Sequence, residues 1–478
     1  MEITNVKRFY IDVAIILCLM FGFGFLPAID PITPQGMRVI GLLLGCIYAW
    51  TIGSQIWPSL LALFILGFTQ GNTVNGVFSA AFGNTTLLMV LFCLIFCYCV
   101  EQSGLLSVIA NFILSRKFVQ KGPWWLAFGF FLASCIASAL CGQPAVSLFL
   151  WAIFYDVINK SGLKPKSPYV AMVMIGITLV GYLGNAIMPF GLFLQIGIGI
   201  MTAVNPGFEM NYLAYTVTDL IICAIMVPGL TLAFKLICPK FDFKLPKEIL
   251  ENPNLSMNFA QKITLVAVIV VTLILTAPTF LPKGTALHTF FNNFGIIGAM
   301  GGMSVILMVI VINGKSIGDI NAAMKNMPWG LIFLLSAALT IAEAVTAEGT
   351  GVQEALTAIF SPMLGGKTAL IFMAIIIFVG CIITNCLNNI VTMTLMIPAS
   401  MAFASSYGVC PELLVTIFAI ILYQGLVLPS GSILGALLHA NNNWLTAKQI
   451  YIYATYGELL LALVMSVVAI PIAYFFIF

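Results

Sequence analysis

The run TALIFMAIIIFVGCIITNCLNNIVTMTLMIPASMAFASS, residues 368–406, decides how this chain folds. It is apolar for nearly twice the about 20 residues a helix needs to cross a bilayer. Its middle, TNCLNNIVT at 384–392, is polar but carries no charge. Two crossing helices would leave a polar or charged loop in water on the far side. An uncharged polar middle predicts a re-entrant hairpin instead, which enters and leaves on one face with its tip at membrane depth. The run 123–159 has the same form and breaks at CGQPAVS, 141–147. Each run is followed by an interrupted helix. Gly181, Gly184, Asn185, Pro189 and Gly191 interrupt 168–202, and Pro429, Ser430, Gly431 and Ser432 interrupt 411–438. Such breaks survive in a membrane only where the freed backbone is buried in protein or lines a cavity.

The rest of the sequence supplies the setting. Of 478 residues, 61% are hydrophobic and 7% are charged. A soluble domain carries about 25% charged residues, so lipid must be the solvent for most of this surface. Further spans read at 10–27, 36–53, 57–72, 85–102, 213–236, 262–281, 293–313, 329–346 and 449–476. The first follows Lys7 and Arg8 without a small-x-small cleavage site, and reads as a retained anchor. The fold class is an all-α membrane protein, with about eleven transmembrane helices plus two re-entrant hairpins.

Charge orients the chain. With a cytoplasmic N-terminus and an extracytoplasmic C-terminus, only Arg38, Lys283 and Lys367 of the 19 cations lie outside. The other sixteen follow the positive-inside rule. The first hairpin then opens from the cytoplasm and the second from outside, so the halves carry the same parts in opposite directions. The reading is an inverted-topology repeat: 1–238, a cytoplasmic linker at 239–261, and 262–478. Glu101 and Glu343 end the span before each hairpin, and Asp219 and Glu458 sit in the last span of each half. Inverted repeats with broken helices are the architecture of secondary transporters, with substrate held where the breaks meet.

The candidate substrate- and ion-binding residues follow from the four breaks. They are Gly142, Gln143 and Pro144 at the first tip, and Asn185 and Pro189 in the first broken helix. The second tip adds Asn388, Asn389 and Thr392, and the second broken helix adds Ser430, Gly431 and Ser432. Helix N-termini there favour an anion and helix C-terminal carbonyls a small cation. A single Gly or Pro is more often a packing kink than a site. Three amides at 385, 388 and 389 are harder to dismiss, because interhelical hydrogen bonds would account for one or two. No Lys, Arg, Asp or Glu falls in the four elements, which argues against a proton/cation antiporter with a central carboxylate. Glu101, Glu343, Asp219 and Glu458 read as span-end groups that snorkel or bridge domains. Trp124, Trp125 and Trp329 begin spans and read as interface anchors.

Other functions lose support on composition. A net charge of +3 is too small and scattered to suggest nucleic acid. Most of the 12 cysteines sit in apolar runs as small hydrophobes; Cys93 and Cys97 share a face but lack further ligands. His288 and His439 have no neighbouring ligand set, so no metal site is expected. No nucleophile–base pair at membrane depth suggests an enzyme.

The chain resembles the divalent anion/sodium symporter family of the ion transporter superfamily. The likeness runs through ITPQGMRVIGLLLGCIYAW (32–50), EQSGL (101–105) and INAAMKNMPWGLIFLLSAALTIAEA (320–344). That family carries a Ser-Asn-Thr motif at each tip. Counting back from Pro398, it falls here on Asn388-Asn389-Ile390, with Thr392 matching a following hydroxyl residue. At the first tip it falls near Cys141-Gly142-Gln143 and is not recognisable. Counting from Leu428-Pro429, the family's broken-helix Thr falls on Ser432. The resemblance implies a homodimer with a fixed scaffold and an elevator-like transport domain.

The expected function is secondary active transport of a small organic anion, a di- or tricarboxylate, across the cell membrane. It would run as a sodium symporter or as a sodium-independent exchanger. No cofactor is implied, and Na+ is the candidate coupling ion. The alternative cargo is an inorganic oxyanion or a neutral polar solute.

Overall fold

In the computed structural model, the described residues are 6–69, 72–243, 256–312, 314–347, 349–352, 354–355, 358, 367–387 and 389–478. Among them, ten helices are long and apolar enough to cross a membrane. The protein is a multi-pass, predominantly helical membrane protein.

Both runs that decided the fold are helix–break–helix hairpins. The first pairs Pro123–Leu140 with Gln143–Ser161, and the second pairs Ala369–Cys386 with Asn389–Ala404. The arms of the first are 18 and 19 residues, each as long as a crossing helix. Arm length therefore does not separate a re-entrant hairpin from a crossing pair; the uncharged tips carry that reading. Both interrupted helices are also broken where Gly and Pro cluster, into Pro168–Ala186 and Leu192–Val204, and into Pro411–Ile421 and Ile433–Ala440.

Three short helices fall outside the span reading: Val74–Phe82, Leu105–Leu114 and Ile320–Lys325. They are too short to show as hydropathy runs and are set by local signals. The Thr73 hydroxyl caps the first and the Asp319 carboxylate caps the third. The span expected at 293–313 is corrected to Ala286–Val309, kinked at Gly295 and capped by Thr285. Polar His288, Asn292 and Asn293 hide its first turns in a hydropathy count, while apolar Val311–Ile312 turns out to be a strand paired with Lys315–Ser316.

The chain divides into two compact units, each drawing on both halves of the sequence. The first unit is 1–91, 195–210 and 328–418. Within it Val6–Gly22 lies against Pro34–Thr51, where Gly41 and Gly45 face Phe23 and Met20. Trp329–Thr346 packs on Ile56–Gly67 and on the second hairpin's Asn389–Ala404 arm. Thr33 fastens a loop here, its N–H and hydroxyl reaching the carbonyls of Thr350 and Gly349.

The second unit is 92–194, 211–327 and 419–478. Its centre is Pro168–Ala186, which is almost wholly buried. Pro123–Leu140, Tyr212–Ile237 and Ala447–Val464 surround it. Small residues set these approaches: a Cβ on Gly184 would overlap the Cys135 carbonyl, one on Gly176 would overlap the Phe131 ring, and Gly457 faces Leu179.

Candidate functional site

Three of the four polar elements come together in the second unit: the first tip and both helix breaks. At the tip the helix ends at Leu140, Cys141 turns extended, and a new helix starts at Gln143. Pro144 sits in its first turn, where a missing N–H breaks no helix bond. Pro144 is exposed, Gly142 half-buried and Gln143 buried. The Gln143 Nε2 amide donates to Ser147 Oγ at 3.0 Å and to the Thr178 carbonyl at 3.2 Å. Its Oε1 is buried without a partner among the described residues, as is the Ser138 hydroxyl.

These groups share one bare patch of backbone. A Cβ on Gly181 would lie 2.7 Å from Ser134 Oγ, 3.1 Å from Gln143 Nε2 and 3.2 Å from Ser138 Oγ. Glycine at 181 leaves that spot open to three polar ends. Ser134 is engaged elsewhere, donating to the Ile177 carbonyl at 2.7 Å.

The first break is spanned by one residue from the second. Tyr423 lies on the 3-10 turn Leu422–Gln424, before Pro429. Its hydroxyl donates to Asn185 Oδ1 at 2.9 Å and accepts from the Phe193 N–H at 3.3 Å. Asn185 precedes the break and Phe193 follows it, so one hydroxyl holds both lips. Asn185 Nδ2 in turn donates to the Ser138 carbonyl at 3.0 Å, tying the break to the first hairpin. Pro189 is buried inside the gap that Tyr423 spans.

At the second break, Gln424 is fully buried, and neither amide atom has a partner among the described residues. The Leu426 N–H donates to Glu458 Oε1 at 3.0 Å, and His439 Nε2 lies 3.0 Å from the Val427 carbonyl. Ser432 caps Ile433–Ala440, its hydroxyl accepting from the Gly435 N–H at 3.0 Å. Ser430 is half-buried and Gly431 buried.

The span-end reading of Asp219 and Glu458 needs correction: both are fully enclosed in the second unit. Asp219 Oδ2 accepts from the Cys223 thiol at 3.7 Å. Depth along a span is visible in sequence, but what a side chain meets there is not. Glu101 is also nearer the chemistry than its place before the hairpin suggests. Its Oε2 would lie 3.6 Å from a Cβ on Gly142. The four elements are uncharged in sequence, yet carboxylates stand beside the first tip and the second break.

The second tip belongs to the first unit. Asn389 opens its helix buried, with Oδ1 accepting from Thr384 Oγ1 at 3.0 Å. Asn385 Nδ2 donates to the Cys381 carbonyl at 2.9 Å, and Thr392 is buried. Asn388 lies outside the described residues.

Sequence reading missed Tyr423, Gln424, Ser138 and Thr178. The first two sit in YQGLVLP, ahead of the visible break, and nothing local marks the 3-10 turn. The signal available was Gln424 itself, an amide inside an apolar run.

The family profile described as citrate transporter matches residues 46–423. No curated protein matches the chain. Among solved structures, the YdaH transporter of Alcanivorax borkumensis superposes with a TM-score of 0.55 at 12% identity, over 92% of this chain and 98% of that one. MtrF of Neisseria gonorrhoeae, described with a class of antimetabolite efflux pumps, gives 0.50 at 11% identity, over 98% of each chain. At that identity the likeness is one of fold.

Proposed function

The chain belongs to the citrate transporter family, within the ion transporter superfamily, and from that membership we propose that it carries a small organic anion, a di- or tricarboxylate such as citrate, by secondary active transport. The observation that carries this reading is the buried polar cluster of the second unit. Gln143 Oε1, Ser138 Oγ and both Gln424 amide atoms are buried without partners among the described residues. Each such group costs about 1–3 kcal/mol if left unmade, so a site that leaves several open is built for an occupant.

Two helices begin in this cluster, Gln143–Ser161 and Ile433–Ala440. Helix N-termini favour carboxylate oxygens, and the Gln424 amide and Ser138 hydroxyl add neutral donors. Glu101 and Glu458 oppose a bare anion, so a co-bound cation fits this site, with Na+ as candidate. Asn388, Asn389 and Thr392 of the second tip are assigned a substrate- or ion-binding role in their own unit. Both hairpins and both broken helices would move as an elevator, the hairpins re-entering from opposite faces of an inverted repeat. The N-terminus is assigned to the cytoplasm and the working form to a homodimer.

The test is uptake of labelled carboxylates into proteoliposomes, with and without a sodium gradient and with cold carboxylate preloaded. Sodium-driven accumulation supports symport, and uptake that needs preloading and ignores sodium supports exchange. Silence from folded protein overturns the carboxylate reading. The carboxylate of Glu101 beside Gly142 favours one second reading, a neutral polar solute on the same architecture. Inhibition by uncharged analogues but not by carboxylates would select it, and inhibition by sulfate alone would point to an inorganic oxyanion.

A further inference from the structure

Between the short helix Leu105–Leu114 and the first hairpin, the chain makes a basic elbow that the transport site does not use. The helix is amphipathic, burying Leu105, Leu106, Ala110, Ile113 and Leu114 against its own unit. Its other side and the following turn expose Phe112, Arg116, Lys117, Lys121 and Trp125. Phe112 is 52% exposed and Trp125 48%, large apolar surfaces for a group of cations to border.

The cations are held on these rings. The Arg116 guanidinium lies 3.6 Å from the Phe112 ring centroid, and its Nε donates to the Phe112 carbonyl at 3.0 Å. That leaves the two terminal amino groups of the guanidinium as a free fork. The Lys121 ammonium lies 5.8 Å from the Trp125 ring, which itself packs edge-on against Phe118 and Phe128. No carboxylate neutralises the elbow: among the described residues the ion pair shown is Lys160–Asp156, elsewhere in the unit.

We propose that this elbow is a binding surface for anionic phospholipid, with Phe112 and Trp125 in the acyl–headgroup boundary and Arg116, Lys117 and Lys121 on the headgroup phosphate. Aromatic rings of this kind settle at the membrane interface, and neighbouring basic residues draw anionic lipid to it. The arginine fork suits two phosphate oxygens at once, while the lysines add charge without fixed geometry. The surface lies at the foot of the first hairpin, so bound lipid would steady the helix that leads to the tip.

The test uses the full chain in phosphatidylcholine vesicles containing an equal fraction of either brominated phosphatidylglycerol or brominated phosphatidylcholine. Subtracting the fluorescence of the Trp125→Phe variant isolates the Trp125 signal. Brominated phosphatidylglycerol should quench that signal several-fold more, at about fivefold in local enrichment per basic side chain. The preference should vanish in the Arg116→Gln, Lys117→Gln, Lys121→Gln triple variant, and halve or better in Lys121→Gln alone, which keeps the test open should the triple variant not fold. Equal quenching by both lipids, or a preference that survives the substitutions, overturns the proposal. Abolition of the preference by excess inorganic phosphate would assign the elbow to a free anion instead, and overturn the lipid assignment.

Discussion

The two hairpin tips are built differently, although the sequence presents them as counterparts. The second tip brings its own amides, and Asn389 accepts from Thr384 of the same hairpin. The first tip has little of its own beyond Gln143 and Ser147, and borrows the rest. Gln143 reaches Thr178 on the broken helix, and Ser138 receives Asn185 from it. A polar count along the chain therefore understates the first tip, where the polar contacts are spread over three elements. A tip that borrows its partners also depends on the packing that delivers them.

The largest effect should come from that packing. Gly184→Val places bulk on the Cys135 carbonyl and pushes the first hairpin off its helix. Overpacking of this kind costs typically about 1–3 kcal/mol, and more where backbone is struck. The expected result is loss of folded, monodisperse protein by size-exclusion chromatography. A variant as stable as the parent would show that the first tip does not need this contact.

Next come the tip amides themselves. Gln143→Ala removes one hydrogen bond within its helix, to Ser147, and one between elements, to Thr178, so it should lower both the melting temperature and uptake, the latter by about tenfold or more. Asn389→Ala should cut uptake by about tenfold while leaving the melting temperature nearer the parent's, because the bond it loses lies within one hairpin. Equal thermal effects would erase the contrast between the tips, and unchanged uptake in Asn389→Ala would remove the second tip from the site.

Tyr423→Phe is a finer probe. It keeps the ring contacts with Tyr182 and Phe193 and removes only the hydroxyl that bridges the first break. At about 0.5–1.5 kcal/mol per hydrogen bond, KM should rise several-fold with the maximal rate less affected. A fall in rate alone would mean the bridge serves movement rather than binding. Smallest of all, Ser432→Ala should cost about 1 kcal/mol in stability as a lost helix cap. A far larger loss of uptake would give that hydroxyl a ligand as well.

Much of the fold was legible because lipid imposes simple rules. Run length, uncharged tips and clustered Gly and Pro placed both hairpins and both broken helices near their observed bounds. Leu105–Leu114 was not legible, since ten residues form no span and its amphipathic pattern sits beside a longer signal. Gln143 and Asn185 were singled out in the sequence because amides in apolar runs are costly, and the structure gives both amides hydrogen bonds within the second unit. Tyr423 was not, because an aromatic phenol in a membrane helix is ordinary until its hydroxyl is seen across a gap. The enclosure of Asp219 and Glu458 was not legible for a related reason: burial depends on neighbours from other elements, as the bond from the Leu426 N–H to Glu458 shows.

The enclosure of Pro168–Ala186 also bears on how the protein is made. Ribosomes deliver this helix after the hairpin arm Pro123–Leu140 but before Tyr212–Ile237 and long before Ala447–Val464, which complete its surroundings. Until those arrive, a helix destined for the interior has lipid as its neighbour. Its composition suits the wait: it is apolar enough to insert alone, and Thr178 returns its hydroxyl to the Met174 carbonyl one turn back. Near its far end, Tyr182 and the Asn185 Oδ1 find partners that are made later, at Ser432 and Tyr423, while the Asn185 Nδ2 already has the Ser138 carbonyl of the first hairpin. The polar contacts across the first break are thus completed only when synthesis is nearly finished.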